Sequence, residues 1–272
     1  MAWMFFRPKR VIWFRSFLVA AVISIAAYVG ASWWWRWAPG RWGGLTFGTL
    51  AALLFLIDSL YPLRRRLMGW PFGTAQRWLQ FHLYGGELAC LFVLLHIGFR
   101  WPGGQFGWWL LLLSLWTAAT GLLGVHLQKY IPMVLASNLS SEAIFERIPE
   151  LSARLQAEAD QLLVGAPDLI QRFYLGNVRT WLGTLAPSWS YVLDVRADRN
   201  RRLAPFREMA TYLAESDRGR LSDLQAIVGE KMELDIHYSL QRLLRFWIPL
   251  HAVPAIVLMA MLVVHIGAVL LF

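Results

Sequence analysis

Four long apolar runs separated by short polar breaks open the chain. A polar stretch of more than a hundred residues follows, and one further apolar run closes the chain. The apolar runs cover roughly residues 11–32, 44–63, 78–99, 106–126 and 246–272. Each is near the ~20 residues that a helix needs to cross the hydrocarbon core of a bilayer. The breaks carry interfacial punctuation: Arg7, Lys9 and Arg10 before the first run, Trp33, Trp34 and Trp35 after it, and Arg64, Arg65 and Arg66 after the second. The first run ends in tryptophan and arginine rather than a small-residue cleavage site, so it is expected to be a retained span and not a signal peptide.

The polar stretch has a different period. Helical spacing runs through 140–164, resumes after Pro167 as far as Pro187, and returns at 204–215 and 220–244, the last running on toward the fifth apolar run. Residues 190–195, SYVLDV, alternate enough for a short strand, and a loop fits equally well. The pattern predicts an all-α membrane protein with about five transmembrane helices. Residues 1–126 hold spans one to four, 127–243 form a soluble, mostly helical insert, and 244–272 supply the fifth span. The insert shows no Gly-rich phosphate loop, nucleotide fingerprint or metal-ligand cluster, which makes a docking platform for another protein its expected role.

Composition agrees with the spans: 57% of the 272 residues are hydrophobic and the mean hydropathy is +0.45. Sixteen tryptophans exceed what a small core needs, and they cluster where helix ends fall, at Trp33–Trp37, Trp42 and Trp108–Trp109. The single cysteine, Cys90, rules out an internal disulfide, covalent haem attachment through a CxxCH motif, and a cysteine-ligated iron–sulfur cluster within the chain. A net charge of +9 raises nucleic acid as a partner, and its distribution argues against that. Residues 127–243 hold 14 Lys/Arg against 15 Asp/Glu, so the excess lies beside the apolar runs, where only Asp58 and Glu87 are acidic. Such placement indicates membrane orientation and lipid contact. Arg7, Lys9, Arg10, Arg15, Arg64, Arg65, Arg66 and Arg77 fall on one side, against Arg36, Arg41 and Arg100 on the other. The N-terminus and the insert are therefore expected to be cytoplasmic and the C-terminus outward, in a bacterial inner membrane.

The histidines carry the chemistry. His82 and His96 stand fourteen residues apart on the third apolar run, and His251 and His265 repeat that interval on the fifth. Fourteen residues advance a helix by about 21 Å and return within about 40° of the same face. The third and fifth spans run in the same direction because the fourth returns between them. His82 is thereby matched in depth with His251, and His96 with His265. Ionisable side chains inside a membrane are rare and mark function. Two equal intervals on parallel helices are expected to ligate two stacked haem b groups, each bis-histidine. Histidines that merely hydrogen-bond between helices are the competing explanation.

Further residues are expected around these ligands. Gly85, Gly86, Gly121 and Gly124 sit near the inner pair and Gly44 and Gly48 near the outer pair, leaving room for a flat macrocycle or simply for close helix packing. Arg77 and Arg245 are candidates for the inner propionates and Arg100 for the outer ones, with anchoring at the membrane surface the alternative. His126 is placed near the inner depth as a candidate partner of a propionate or quinone, weighed against an ordinary surface histidine at the membrane interface. A third haem between His237 and His126 is disfavoured, because the two fall at different depths. Glu87 is a candidate proton relay at a quinone site, weighed against a hydrogen bond to a neighbouring helix.

At His82, His96, His251 and His265 the sequence resembles the transmembrane dihaem cytochromes b. Respiratory cytochrome b and the membrane domain of ferric reductases and NADPH oxidases also take haem ligands from paired helices. The resemblance covers spans two to five, carries these four histidines alone, and brings no quinone-site motif. The insert is foreign to both families, and the oxidase's flavin domain has no counterpart. The resemblance implies an electron-transfer subunit of a membrane oxidoreductase complex. Its partners would be a flavoprotein, an iron–sulfur protein or a cytochrome c, with quinone as a candidate substrate. A quinol dehydrogenase or metal reductase in its own right, and a non-redox membrane scaffold, are the alternatives.

Overall fold

The computed structural model describes residues 8–66, 73–138, 145–185 and 195–271, and among them every regular element is helical. The helices are α1 (Pro8–Trp34), α2 (Trp42–Asp58), α3 (Tyr61–Arg66), α4 (Ala75–His96), α5 (Gln105–Asn138), α6 (Ile148–Leu162), α7 (Asp168–Asn177), α8 (Arg179–Leu182), α9 (Val195–Tyr212) and α10 (Glu215–Leu271). Five of them are long and apolar enough to cross a membrane, in the regions that the apolar runs predict. The helical spacing at 220–244 belongs to one continuous helix through the fifth span, and α9 begins ahead of the expected 204. Most of SYVLDV lies outside the described residues, and Val195 opens α9.

The chain divides into two compact units, one running up to Val125 and resuming at Ile248, the other spanning His126–Trp247. Helices α5 and α10 contribute to both. In the first unit α4 packs against α1, α2 and α3. Small residues at the seam, Ala51, Ala52 and Ala89, let α2 and α4 approach, and Phe47, Phe92 and Leu95 fill the space between them. The Trp37 indole donates to the Leu95 carbonyl at 2.9 Å, tying the α1–α2 connection to the end of α4. That end is built by backbone conformation. Gly98 adopts φ +63°, its N–H bonds the Leu95 carbonyl, and the Phe99 N–H reaches back to Leu94, so the helix stops just beyond His96. Outward faces of α1, α2, α5 and the last part of α10 expose large aliphatic side chains such as Ile23, Leu53, Leu123 and Val263, as a lipid-facing surface requires. Trp33, Trp34, Trp35 and Trp42 are strongly exposed at the helix ends.

The second unit has an ordinary aliphatic and aromatic core, including Ile148, Ala159, Ile170, Phe173, Leu182, Phe206, Leu224 and Val228. Its polar side chains answer one another. Asp160 accepts from Arg179 Nε at 2.9 Å and from the Tyr174 hydroxyl at 2.7 Å, and the Arg179 hydrogen bond holds its carboxyl below the usual carboxylate range. Lys231, fully buried, bonds Asp235 and the Thr184 carbonyl and stands 5.0 Å from the centre of the Trp181 ring.

Candidate functional site

All four spaced histidines lie in the first unit, on two helices: His82 and His96 on α4, His251 and His265 on α10. The structure brings His82 and His251 together, with ring centroids 6.1 Å apart and ring planes at 90°. Two imidazoles bonded through Nε2 to one metal at about 2 Å each stand with centroids roughly 6 Å apart. His265 lies within electrostatic range of His96.

Two of the four meet a polar group through Nδ1, and in one the tautomer is set. His96 Nδ1 lies 2.8 Å from the Gly44 carbonyl, which can only accept, so Nδ1 carries the proton. His251 Nδ1 lies 3.0 Å from the Thr120 hydroxyl. The same hydroxyl lies 2.7 Å from the Trp116 carbonyl and 3.2 Å from the Thr117 carbonyl in the preceding turn of α5. A hydrogen bond at Nδ1 orients the imidazole and directs Nε2 away from that contact.

The other two rest against aromatic rings. His82 stacks on Tyr61 of α3 with centroids 4.9 Å apart, and His265 stacks on Phe106 at 6.4 Å. Nδ1 of His82 is buried without a hydrogen-bond partner of normal geometry, the Asp58 backbone lying nearby.

A register links these contacts. Gly44 and Asp58 on α2 are fourteen residues apart, as are the histidines they approach on α4. Thr120 and Phe106 on α5 are likewise fourteen apart, opposite the histidines of α10. Each ligand helix therefore has a neighbour of matching interval running alongside it.

Proline sharpens the inner position. Pro254 has no N–H, so the Leu250 carbonyl one turn earlier loses its helical partner. The Trp116 indole supplies a replacement at 3.0 Å, and His251 is the next residue along. The sequence signals for Thr120, Trp116 and Pro254 exist only in combination: none marks a site alone, and their pairing depends on the register of α5 against α10.

The glycines divide into two roles. A Cβ on Gly48 would stand 2.8 Å from His96 Nδ1, and one on Gly121 would stand 3.6 Å from His251 Cε1, so both make room for a histidine ring. Gly85 and Gly86 instead make room for the Asp58 carboxyl, whose oxygens lie 3.1 and 3.0 Å from where their Cβ atoms would be. The space expected there for a macrocycle is occupied by an acid. Gly124 is buried.

The arginines separate as well. Arg77 and Arg100 are exposed. Arg245 belongs to the second unit, where it pairs with Glu146 and covers the Phe145 ring at 4.0 Å, so its guanidinium already has a counter-ion. His126 is exposed in that unit and His237 is buried there. Glu87 is half-buried on α4, and Cys90 is buried in the same helix.

Among the described residues, no group of three or more His, Cys, Asp or Glu stands close enough to hold a metal ion unaided. No protein-family model, curated protein or solved structure matches the chain.

Proposed function

We propose that this membrane protein is a dihaem b-type cytochrome, the electron-transfer subunit of a larger oxidoreductase complex. The observation that carries the reading is the His82–His251 pair at 6.1 Å, with the Thr120 hydroxyl 3.0 Å from His251 Nδ1. A porphyrin brings its own equatorial nitrogens, so two facing imidazoles suffice where a bare ion would need a larger cluster. His82 and His251 would hold one haem b, and His96 and His265 the other. A haem held by such a pair would supply reversible one-electron transfer.

The chain's own residues orient and enclose this chemistry. Gly44 and Thr120 fix ring orientation and keep the ligating nitrogens basic. Gly48 and Gly121 leave the rings space, and the apolar bundle keeps water from the site. In this reading the two centres lie about 21 Å apart along the helices, near opposite faces of a bacterial inner membrane. The N-terminus and the insert are cytoplasmic by the asymmetry of basic residues. With both haems bound, the chain would pass electrons between a quinone pool or cytoplasmic donor and an outer-side partner. The insert, with its separate core, is the docking platform for a flavoprotein or iron–sulfur protein.

Purification of the full chain in detergent, with haem quantitation and a reduced-minus-oxidised spectrum, tests the proposal. Two b-type haems per chain are expected. Absence of haem absorption from folded protein would leave a scaffold whose histidines only pack.

A further inference from the structure

Leu258 is the one buried side chain among the described residues of α10 from Ile248 to Leu271, at 3% exposure. It stands midway between the histidines of that helix, seven residues after His251 and seven before His265. Both histidines are only partly buried. Helix α10 is therefore packed most closely at its middle and more loosely at the two levels where its histidines sit.

Three registers fix what shares the middle level. On α4, His82 meets His251 and His96 lies in range of His265, so Ala89 matches Leu258. On α2, Gly44 meets His96 and Asp58 meets Gly85 and Gly86, so Ala51 matches Ala89. On α5, Thr120 meets His251 and Phe106 meets His265, so the level falls at Leu113 and Ser114. Ala51, Ala89 and Ser114 are all buried. The Ser114 hydroxyl donates to the Leu110 carbonyl of its own helix at 2.7 Å, which leaves the layer without a polar demand. One large side chain on α10 thus stands level with three small ones on its neighbours, a pattern that lets helices close on one another.

We propose that Leu258, with Ala51, Ala89 and Ser114, forms a septum across the bundle that separates the two cofactor spaces and is the packed medium an electron crosses between them. This rests on the reading of the four histidines as ligands of two haems. An electron tunnels faster through close-packed atoms than across a void of the same width. Truncating a buried leucine leaves such a void, because the surroundings relax only in part.

The full chain, haem-free and haem-loaded, is compared as wild type, Leu258→Ala and Val257→Ala, the last altering a side chain that is 44% exposed. Without haem, Leu258→Ala is expected to lower the thermal unfolding midpoint by several degrees, and Val257→Ala to leave it unchanged. With both haems bound at unchanged potentials, electron exchange between the centres after pulsed reduction is expected to slow several-fold in Leu258→Ala alone. Should Leu258→Ala not fold or shed a haem, Leu258→Val is read in its place. A lowered midpoint with an unchanged exchange rate makes Leu258 a packing residue only, which overturns the septum as the electron's path and leaves the cytochrome reading intact. An unchanged midpoint overturns the packing itself. A wild-type chain that binds no haem removes the cytochrome reading and the electron's path with it.

Discussion

In the insert, Lys231 has no exposed surface, yet its ammonium meets Asp235, the Thr184 carbonyl and the face of Trp181. Asp160 is answered twice over, by Arg179 and Tyr174. In the membrane unit the polar groups are answered by halves. His96 meets the Gly44 carbonyl and His251 the Thr120 hydroxyl through Nδ1, while His82 Nδ1 and Asp58 Oδ1 are buried without a hydrogen bond of normal geometry. A stable fold selects against such vacancies, since each buried polar atom left alone costs about 1–3 kcal/mol. Two of them, His82 Nδ1 and Asp58 Oδ1, lie on the packed helices α4 and α2. The insert spends its buried polarity on cohesion; in the proposed reading the membrane unit turns part of its own toward the haems.

Removing a ligand probes that contrast most severely. His251→Ala is expected to abolish the inner haem and His265→Ala the outer one, each leaving about one haem per chain by quantitation; loss of neither would refute the pairing. Next comes the insert's own ion pair. Lys231→Met alone strands Asp235 and should destabilise the insert by about 3–5 kcal/mol, read by thermal unfolding and limited proteolysis. The double variant Lys231→Met with Asp235→Leu should recover most of that loss. The haem spectrum should be unchanged in both, because the pair serves cohesion alone.

Smaller effects come from the groups that orient the histidines. Thr120→Val removes the hydroxyl that meets His251 and should weaken inner haem retention about 10–100-fold, measured as haem loss to an apo-globin acceptor. Gly48→Ala places a methyl group against His96 and should disturb the outer centre alone, visible as a changed electron paramagnetic resonance signal. The least effect is expected from Trp116→Phe, which frees the Leu250 carbonyl at a cost of about 1 kcal/mol. Pro254→Ala restores the missing backbone N–H, so Trp116→Phe should cost almost nothing in that background.

Periodicity carried far in this chain because the bilayer imposes one length and one hydropathy on every span, and five runs near that length stand out without any tertiary information. The histidine interval was equally legible, since 3.6 residues per turn is a property of the helix and not of the fold. What periodicity could not supply was the identity of the neighbour across each seam. Gly85 and Gly86 look the same beside a macrocycle or beside Asp58, and only the packing of α2 on α4 distinguishes the two. Arg245 sits at a plausible distance from His251 along the chain, but Glu146, about a hundred residues earlier, takes its charge. Thr120 is one hydroxyl among several on α5 that bond back to the preceding turn. Its second bond, to His251, depends on how α5 and α10 lie side by side.

The matched fourteen-residue intervals also say where the chain can change length. One residue inserted between Gly44 and Asp58 would turn the far end of α2 by about 100° and slide it about 1.5 Å. One of the two groups facing α4 would then miss its histidine while the other stayed in place. The same holds between Phe106 and Thr120, between His82 and His96, and between His251 and His265. Insertions and deletions in related sequences should therefore avoid these four intervals and collect in the connections between helices, so that the spacing outlasts the identity of most residues within it.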